Sequence, residues 1–329
     1  LTFGSYLNSS GVAIDPSWLA TVAIVALTAA HCSTHRHSGG TQTGLTILKL
    51  LLIVAFSVAA LALSPAEQQV TFSWRSEDAP LLASGAFAVS LIYVNYAYSG
   101  WNAATYISGE LASPQRSLPW VLGVSTTLVA SLYYLLNFVF LSVAPIDAMV
   151  GKVEVGVIAA NFAFGPSLGT FMGLLLALLL ISTISAMILA GPRVLHRIGQ
   201  DYPRFAPLAR ENADGIPVTA IVLQSATALL FLWSASFEQI LVFSGATMAL
   251  NTFATVLGLF ILRWRQPHLL RPFRVTLYPI TPLIFLGITG WTLTYVVLQR
   301  PVEALISAAI VASGGVFYWL VRPTKRPHL

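Results

Sequence analysis

Apolar residues in this chain come in long, nearly unbroken runs, not in the alternation of a half-buried strand or the single stripe of a surface helix. A helix rising 1.5 Å per residue needs about 20 apolar residues to cross the ~30 Å hydrocarbon core of a bilayer. Nine runs fit that requirement, near 16–32, 46–64, 82–108, 118–142, 167–190, 217–235, 239–262, 276–298 and 302–321. A tenth apolar patch, Val155 to Phe164, is short and reads as interfacial. The pattern predicts an all-α, polytopic membrane protein of about nine transmembrane helices. The residues ahead of the first run read as a loop without a signal peptide.

The third run departs from the plain pattern. From Leu91 to Trp120 it reads LIYVNYAYSGWNAATYISGELASPQRSLPW, and at Tyr96-Ala97-Tyr98-Ser99-Gly100-Trp101-Asn102 an apolar helix turns aromatic, small and polar before resuming. An unpaired backbone amide in lipid costs several kcal/mol, so a break at mid-depth is tolerable only when it is buried in protein or faces a watery cavity. Such a break exposes carbonyls at the end of one half-helix and amides at the start of the next, groups able to hold an ion or a zwitterion. A continuous, Gly-containing helix packed closely on a neighbour is the alternative.

Composition agrees with the membrane reading: 56% of residues are hydrophobic, 9% are charged and mean hydropathy is +0.78. The formal charge of +5 does not point to nucleic acid, because Lys and Arg sit in short segments between apolar runs and form no basic face. With the N-terminus outside, nine spans bring all but Arg75, Lys152 and Arg300 of the 17 basic residues to the cytoplasmic side, along with the C-terminus. An exported first loop fits a chain lacking an odd number of leading helices. Cys32 is the single cysteine, so no intramolecular disulfide can form.

Few polar residues interrupt the spans. Lys49, in the second, lies about a turn inside the cytoplasmic end. Its stem can snorkel to the interface, or its amine can stay desolvated and load and release a proton during transport. Ser182, Thr183 and Ser185 sit in the inner half of the fifth span, either bonded back to their own backbone or lining a coupling-ion site. Glu110 stands at the inner end of its helix and pairs most simply with Arg116. His31, Cys32, His35 and His37 are types that can bind zinc, but their irregular spacing and the adjoining Gly39-Gly40 favour a solvated loop and no metal site. The long segment Gly191 to Pro217 reads as a solvated linker. No nucleophile motif or mid-span acid pair is present, so an enzyme is not expected, and no cofactor is implied.

These motifs resemble the amino acid permeases of the APC superfamily, the amino acid, polyamine and organocation transporters. Tyr96 through Asn102, then Gly109-Glu110 and Pro114-Gln115-Arg116-Ser117-Leu118-Pro119, are similar to that family's sixth helix and the loop after it. Gln42 through Lys49 resembles the start of the fifth helix. Gly191-Pro192-Arg193 through Ile216-Pro217 resembles the loop between helices eight and nine. Arg271-Pro272-Phe273-Arg274 with Tyr278-Pro279 and Pro282 resembles the approach to helix eleven. The likeness covers nearly all of the chain, and its nine runs correspond to family helices four to twelve.

The resemblance implies a single transporter domain over 1–329 with a partial inverted five-helix-repeat fold: 16–64 the last two helices of the first repeat, 82–262 the second repeat with its broken helix at 82–108, and 276–321 two accessory helices. It implies that carbonyls around Tyr96, Ala97 and Ser99 receive a substrate's amino group, with Tyr98, Gly100 and Asn102 in the same segment and Tyr96 or Trp101 as gate or pocket wall. It also implies that Lys49 stands where sodium sits in ion-coupled relatives, which favours proton symport or antiport against a counter-substrate. Glu110 and Arg116 would form a cytoplasmic gate, and Ser182, Thr183 and Ser185 would serve coupling. Ser99 stands where glycine is common, Leu111 replaces a second acid, and the His-rich segment replaces the usual Asn and Gly turn.

The expected function is therefore secondary active, alternating-access transport of a neutral amino acid across the cell membrane. The partners are the substrate, a proton or counter-substrate, and the lipid bilayer; the sequence is silent on oligomeric state. A polyamine or cationic amino acid carrier would call for an acid facing the break. A non-transporting, truncated membrane subunit is the third reading.

Overall fold

The computed structural model describes residues 1–33, 38–64, 70, 73–106, 108, 111–271 and 273–321, and among them every regular element is helical. Seven helices are long and apolar enough to cross a membrane: Pro16–Ser33, Thr43–Leu63, Pro114–Val143, Pro166–Asp201, Phe237–Arg265, Ile280–Gln299 and Pro301–Val321. The two remaining runs form shorter helices. One is Val218–Ser234, of 17 residues, and the other is the interrupted helix that begins at Gly85. This is an all-α, multi-pass membrane architecture.

The chain divides into two compact units, residues 1–72 with 123–234, and residues 73–122 with 235–329. In the first unit, α1 (Thr2–Ser9) is followed by α2 (Pro16–Ser33) and α3 (Ser38–Leu63). The expected leading loop is thus helical, because Gly4 lets α1 fold back onto the start of α2: a Cβ there would stand 2.1 Å from the Pro16 carbonyl oxygen. In the second unit, α4 (Asp78–Leu82) leads into α5 (Gly85–Tyr98), a 3-10 turn (Ser99–Trp101) and α6 (Asn102–Tyr106). Then α7 (Pro114–Val143) returns the chain to the first unit, which continues through α8 (Ile146–Met149), α9 (Val155–Phe164), α10 (Pro166–Ala190), α11 (Pro192–Asp201), a 3-10 helix (Pro203–Ala209) and α12 (Val218–Ser234). The second unit closes with α13 (Phe237–Arg265), α14 (Ile280–Gln299) and α15 (Pro301–Val321).

Small residues set the helix spacing in the first unit. Gly156, Val157, Ala159, Ala160 and Ala163 of α9 are buried, and the three alanines join Phe56, Ala60, Val139, Val143 and Ala144 in a buried core cluster. The short tenth patch is therefore packed inside protein, not spread along an interface. Gly169 and Gly173 of α10 permit close approach: a Cβ at Gly169 would stand 1.7 Å from the Asn161 side-chain oxygen, and one at Gly173 would meet the Ser10 hydroxyl at 2.1 Å and a Val157 methyl at 3.0 Å. In the second unit Ile92, Ala246, Ala249 and Val296 join α5, α13 and α14 in one buried cluster. α13 starts with a capping box, the Ser236 hydroxyl accepting from the Gln239 N–H and the Gln239 side chain accepting from the Ser236 N–H.

Candidate functional site

In the second unit, α5 starts at the Ser84 cap, whose hydroxyl accepts from the Phe87 N–H. It is held along its length by α13 and α14. Gly85 presses on the Gln299 and Tyr295 side chains, the Tyr295 hydroxyl reaches the Ala83 carbonyl at 3.4 Å, and the Tyr93 hydroxyl donates to Glu238 at 3.3 Å. Glu238 in turn pairs with Arg300 at the end of α14. One turn below Tyr93, Gly245 of α13 lies against Ile92 and Tyr96: a Cβ at Gly245 would stand 2.6 Å from the Ile92 methyl and 3.6 Å from the Tyr96 Cβ.

The helix then breaks where the polar stretch begins. The break is one 3-10 turn, with Tyr98 at φ −89°, ψ −2° and Ser99 at φ −68°, ψ −12°, so the chain stays right-handed. The expected break thus takes the form of a tightened turn, and the reason is local. The Ser99 N–H and hydroxyl both donate to the Tyr96 carbonyl, the hydroxyl at 2.7 Å, and Thr105 closes back on the Asn102 carbonyl in the same way. Groups that a wider break would leave open are satisfied within the turn. Gly100 keeps open space where a side chain would be, and Tyr96 and Trp101 are 39% and 43% exposed.

In the first unit, Lys49 faces protein. Its amine donates to the Thr183 hydroxyl of α10 at 2.9 Å, joining residues 134 apart in sequence. Of the other hydroxyls expected beside it, Ser182 is buried, and the Ser185 oxygen lies 2.8 Å from His31 Nε2 of α2. Residues two apart on a helix point about 200° from each other, so Thr183 and Ser185 serve opposite neighbours, α3 and α2. The expected coupling set is thus split between two contacts.

Lys49 and Thr183 border a cavity of about 480 Å³ whose walls are mainly Leu, Ile, Met and Phe from α3, α7 and α10. Tyr6 and Tyr133 also border it, and the Tyr6 hydroxyl bonds the backbone at Gly156. Neither tyrosine stands out in the sequence: Tyr6 lies in a segment that reads as loop, and Tyr133 is one aromatic among many in an apolar run. Arg116 is exposed on the first turn of α7, while Glu110, its expected partner in a gate, lies outside the described residues. His35 and His37 also lie outside them, and among the described residues no three His, Cys, Asp or Glu side chains gather as metal ligands.

The chain resembles several known transporters. It is 26% identical over 319 residues to the large neutral amino acids transporter small subunit 2 of Mus musculus, covering 92% of this chain and 57% of that protein. It is 24% identical over 281 residues to solute carrier family 7 member 12 of Mus musculus, covering 84% of this chain and 59% of that one. It is 22% identical over 317 residues to the b(0,+)-type amino acid transporter 1 of Mus musculus, covering 96% and 64%. The chain therefore spans somewhat over half the length of these relatives. The model of the amino acid permease family matches residues 1–321, almost the whole of the chain, and this polytopic helical protein belongs to that family.

Proposed function

We propose that the chain carries an amino acid across a cell membrane by secondary active transport, that the substrate is neutral, and that its movement is coupled to a proton or to a counter-substrate. The observation that carries this reading is the Lys49–Thr183 contact beside an apolar cavity in a member of the amino acid permease family. A lysine amine turned inward gives a fixed cation site that can exchange a proton, where a sodium-coupled carrier needs room and oxygen ligands for a metal ion. The names of the relatives, which include large neutral amino acids, support the substrate class. The 3-10 turn at Ser99–Trp101, with Tyr96 before it and Trp101 at its end partly exposed, supports that stretch as the segment that meets substrate. The positive-inside bias supports an orientation with the Gly191 to Pro217 segment in the cytoplasm.

The test is uptake of a radiolabelled neutral amino acid into proteoliposomes, measured across a range of outside pH. The parent should show pH-dependent uptake, and Lys49→Ala should leave at most a small uptake that no longer varies with pH. Unchanged pH dependence in Lys49→Ala would remove the coupling role, and uptake by neither form of any amino acid would remove the transport reading.

A further inference from the structure

The second unit carries a basic end that its nearest acids in sequence do not reach. No Asp or Glu occurs between Glu238 and Glu303. Glu238 stands in the first turn of α13, where it pairs with Arg300, about 40 Å along that helix from Arg265. Past Arg265 the chain runs through His268, Arg271 and Arg274 before α14 begins at Ile280.

Two arginines of this end are used to fold the loop. The Arg271 guanidinium donates to the carbonyls of Pro267, Leu269 and Gln266 at 3.0, 2.9 and 2.7 Å. Arg263 of α13 lies over the Tyr278 ring, 3.7 Å from its centroid. Arg265 and Arg274 are left exposed, and neither meets a carboxylate among the described residues.

The loop borders an open hollow of about 720 Å³ within the same unit. Pro114, Gln115, Leu118, Pro119 and Leu122 of α7 form one wall, and Phe273 of the loop stands on the other. Arg116 follows Gln115 and Arg274 follows Phe273, so each wall has an exposed arginine beside it, and Arg116 likewise meets no carboxylate among the described residues. From Pro114 to Leu122 the helix climbs about 12 Å, most of one leaflet's share of a ~30 Å hydrocarbon core. Trp120, about a turn past Arg116, and Trp264, between Arg263 and Arg265, are 75% and 82% exposed. Exposed tryptophans beside basic residues mark the headgroup level of a membrane protein.

We propose that this hollow seats an anionic phospholipid from the leaflet it faces, an acyl chain along Leu118, Leu122 and Phe273 and the phosphate between Arg116 and Arg274. Lipid tails gain little by exchanging one apolar surface for another, so the groove fixes the place and the arginines set the preference. A zwitterionic headgroup gains less, because its own ammonium offsets its phosphate and finds no carboxylate on these arginines to receive it.

Native mass spectrometry of the purified full chain tests this without relying on transport. The chain is incubated in detergent with equal amounts of phosphatidylglycerol and phosphatidylcholine of the same acyl length. The parent should retain phosphatidylglycerol over phosphatidylcholine by on the order of tenfold, the scale of two arginines at an anionic headgroup. Arg116→Gln with Arg274→Gln should remove most of that preference, whereas Arg75→Gln with Lys152→Gln, which takes the same charge from other exposed positions, should keep it. Leu118→Trp, which fills the hollow and leaves both arginines, should lower phosphatidylglycerol retention, and a tenfold excess of inorganic phosphate should leave the lipid bound. Equal retention of the two lipids by the parent, an equal loss in the charge-matched control, undiminished retention by Leu118→Trp, or displacement by phosphate would overturn the proposal.

Discussion

A lysine in a membrane helix has two places to put its charge, the headgroup layer its stem can reach or a partner inside the protein, and Lys49 takes the second. The hydroxyl of Thr183 is a neutral acceptor that takes one of the hydrogen bonds the amine can donate. Lys49 stands out in the sequence by its isolation in an apolar run. That Thr183 and not Ser182 or Ser185 would receive it was not legible there, because the choice depends on which face of α10 meets α3, and an evenly apolar helix gives no periodicity from which to read its facing. Ser99 poses a related question. Its hydroxyl satisfies the Tyr96 carbonyl, so Ser99→Gly removes both a cap and a small volume. This variant should accept bulkier neutral amino acids in competition for uptake, and an unchanged size profile would mean that Ser99 does not border the substrate.

At the scale of elements, the interruption of the third run was legible from its residue types, and its form was not. Sequence marks where apolar helix gives way to Ser, Gly and Asn, but a serine able to bond its own i−3 carbonyl converts an open break into a 3-10 turn, and that is decided by side-chain geometry. α1 and α9 were misread for a different reason. Each is too short to register as a span, and each packs closely on a long neighbour at a glycine, α1 through Gly4 at Pro16 and α9 over Gly173. Gly245 does the same between α13 and α5, at the level of Tyr96. A methyl group there meets Ile92, which is completely buried and has nowhere to retreat. Gly245→Ala should therefore cost about 1–3 kcal/mol by overpacking and lower the unfolding temperature in detergent. An unshifted midpoint would show that the two helices are not in the contact described.

For the whole molecule, membrane class and helical architecture follow from composition and run length, since lipid leaves a spanning chain no other way to satisfy a backbone that lacks strand partners. Family membership rests on the amino acid permease model matching residues 1–321, while identity to the relatives is only 22–26%. What composition does not convey is how the runs associate: spans close in sequence, such as those starting at Gly85 and Pro114, contribute to different compact units, and each unit includes a polar contact between residues more than a hundred positions apart, Lys49 to Thr183 in one and Tyr93 to Glu238 in the other. The claim on which the rest turns is that an amino acid binds at the stretch from Tyr96 to Asn102. With Cys32→Ser the chain has no cysteine, so Ser99→Cys in that background introduces a single reporter. Its alkylation rate in proteoliposomes should fall as a neutral amino acid is added and should be restored when the amino acid is washed out. An alkylation rate indifferent to every amino acid, in a preparation that retains uptake, would contradict the account.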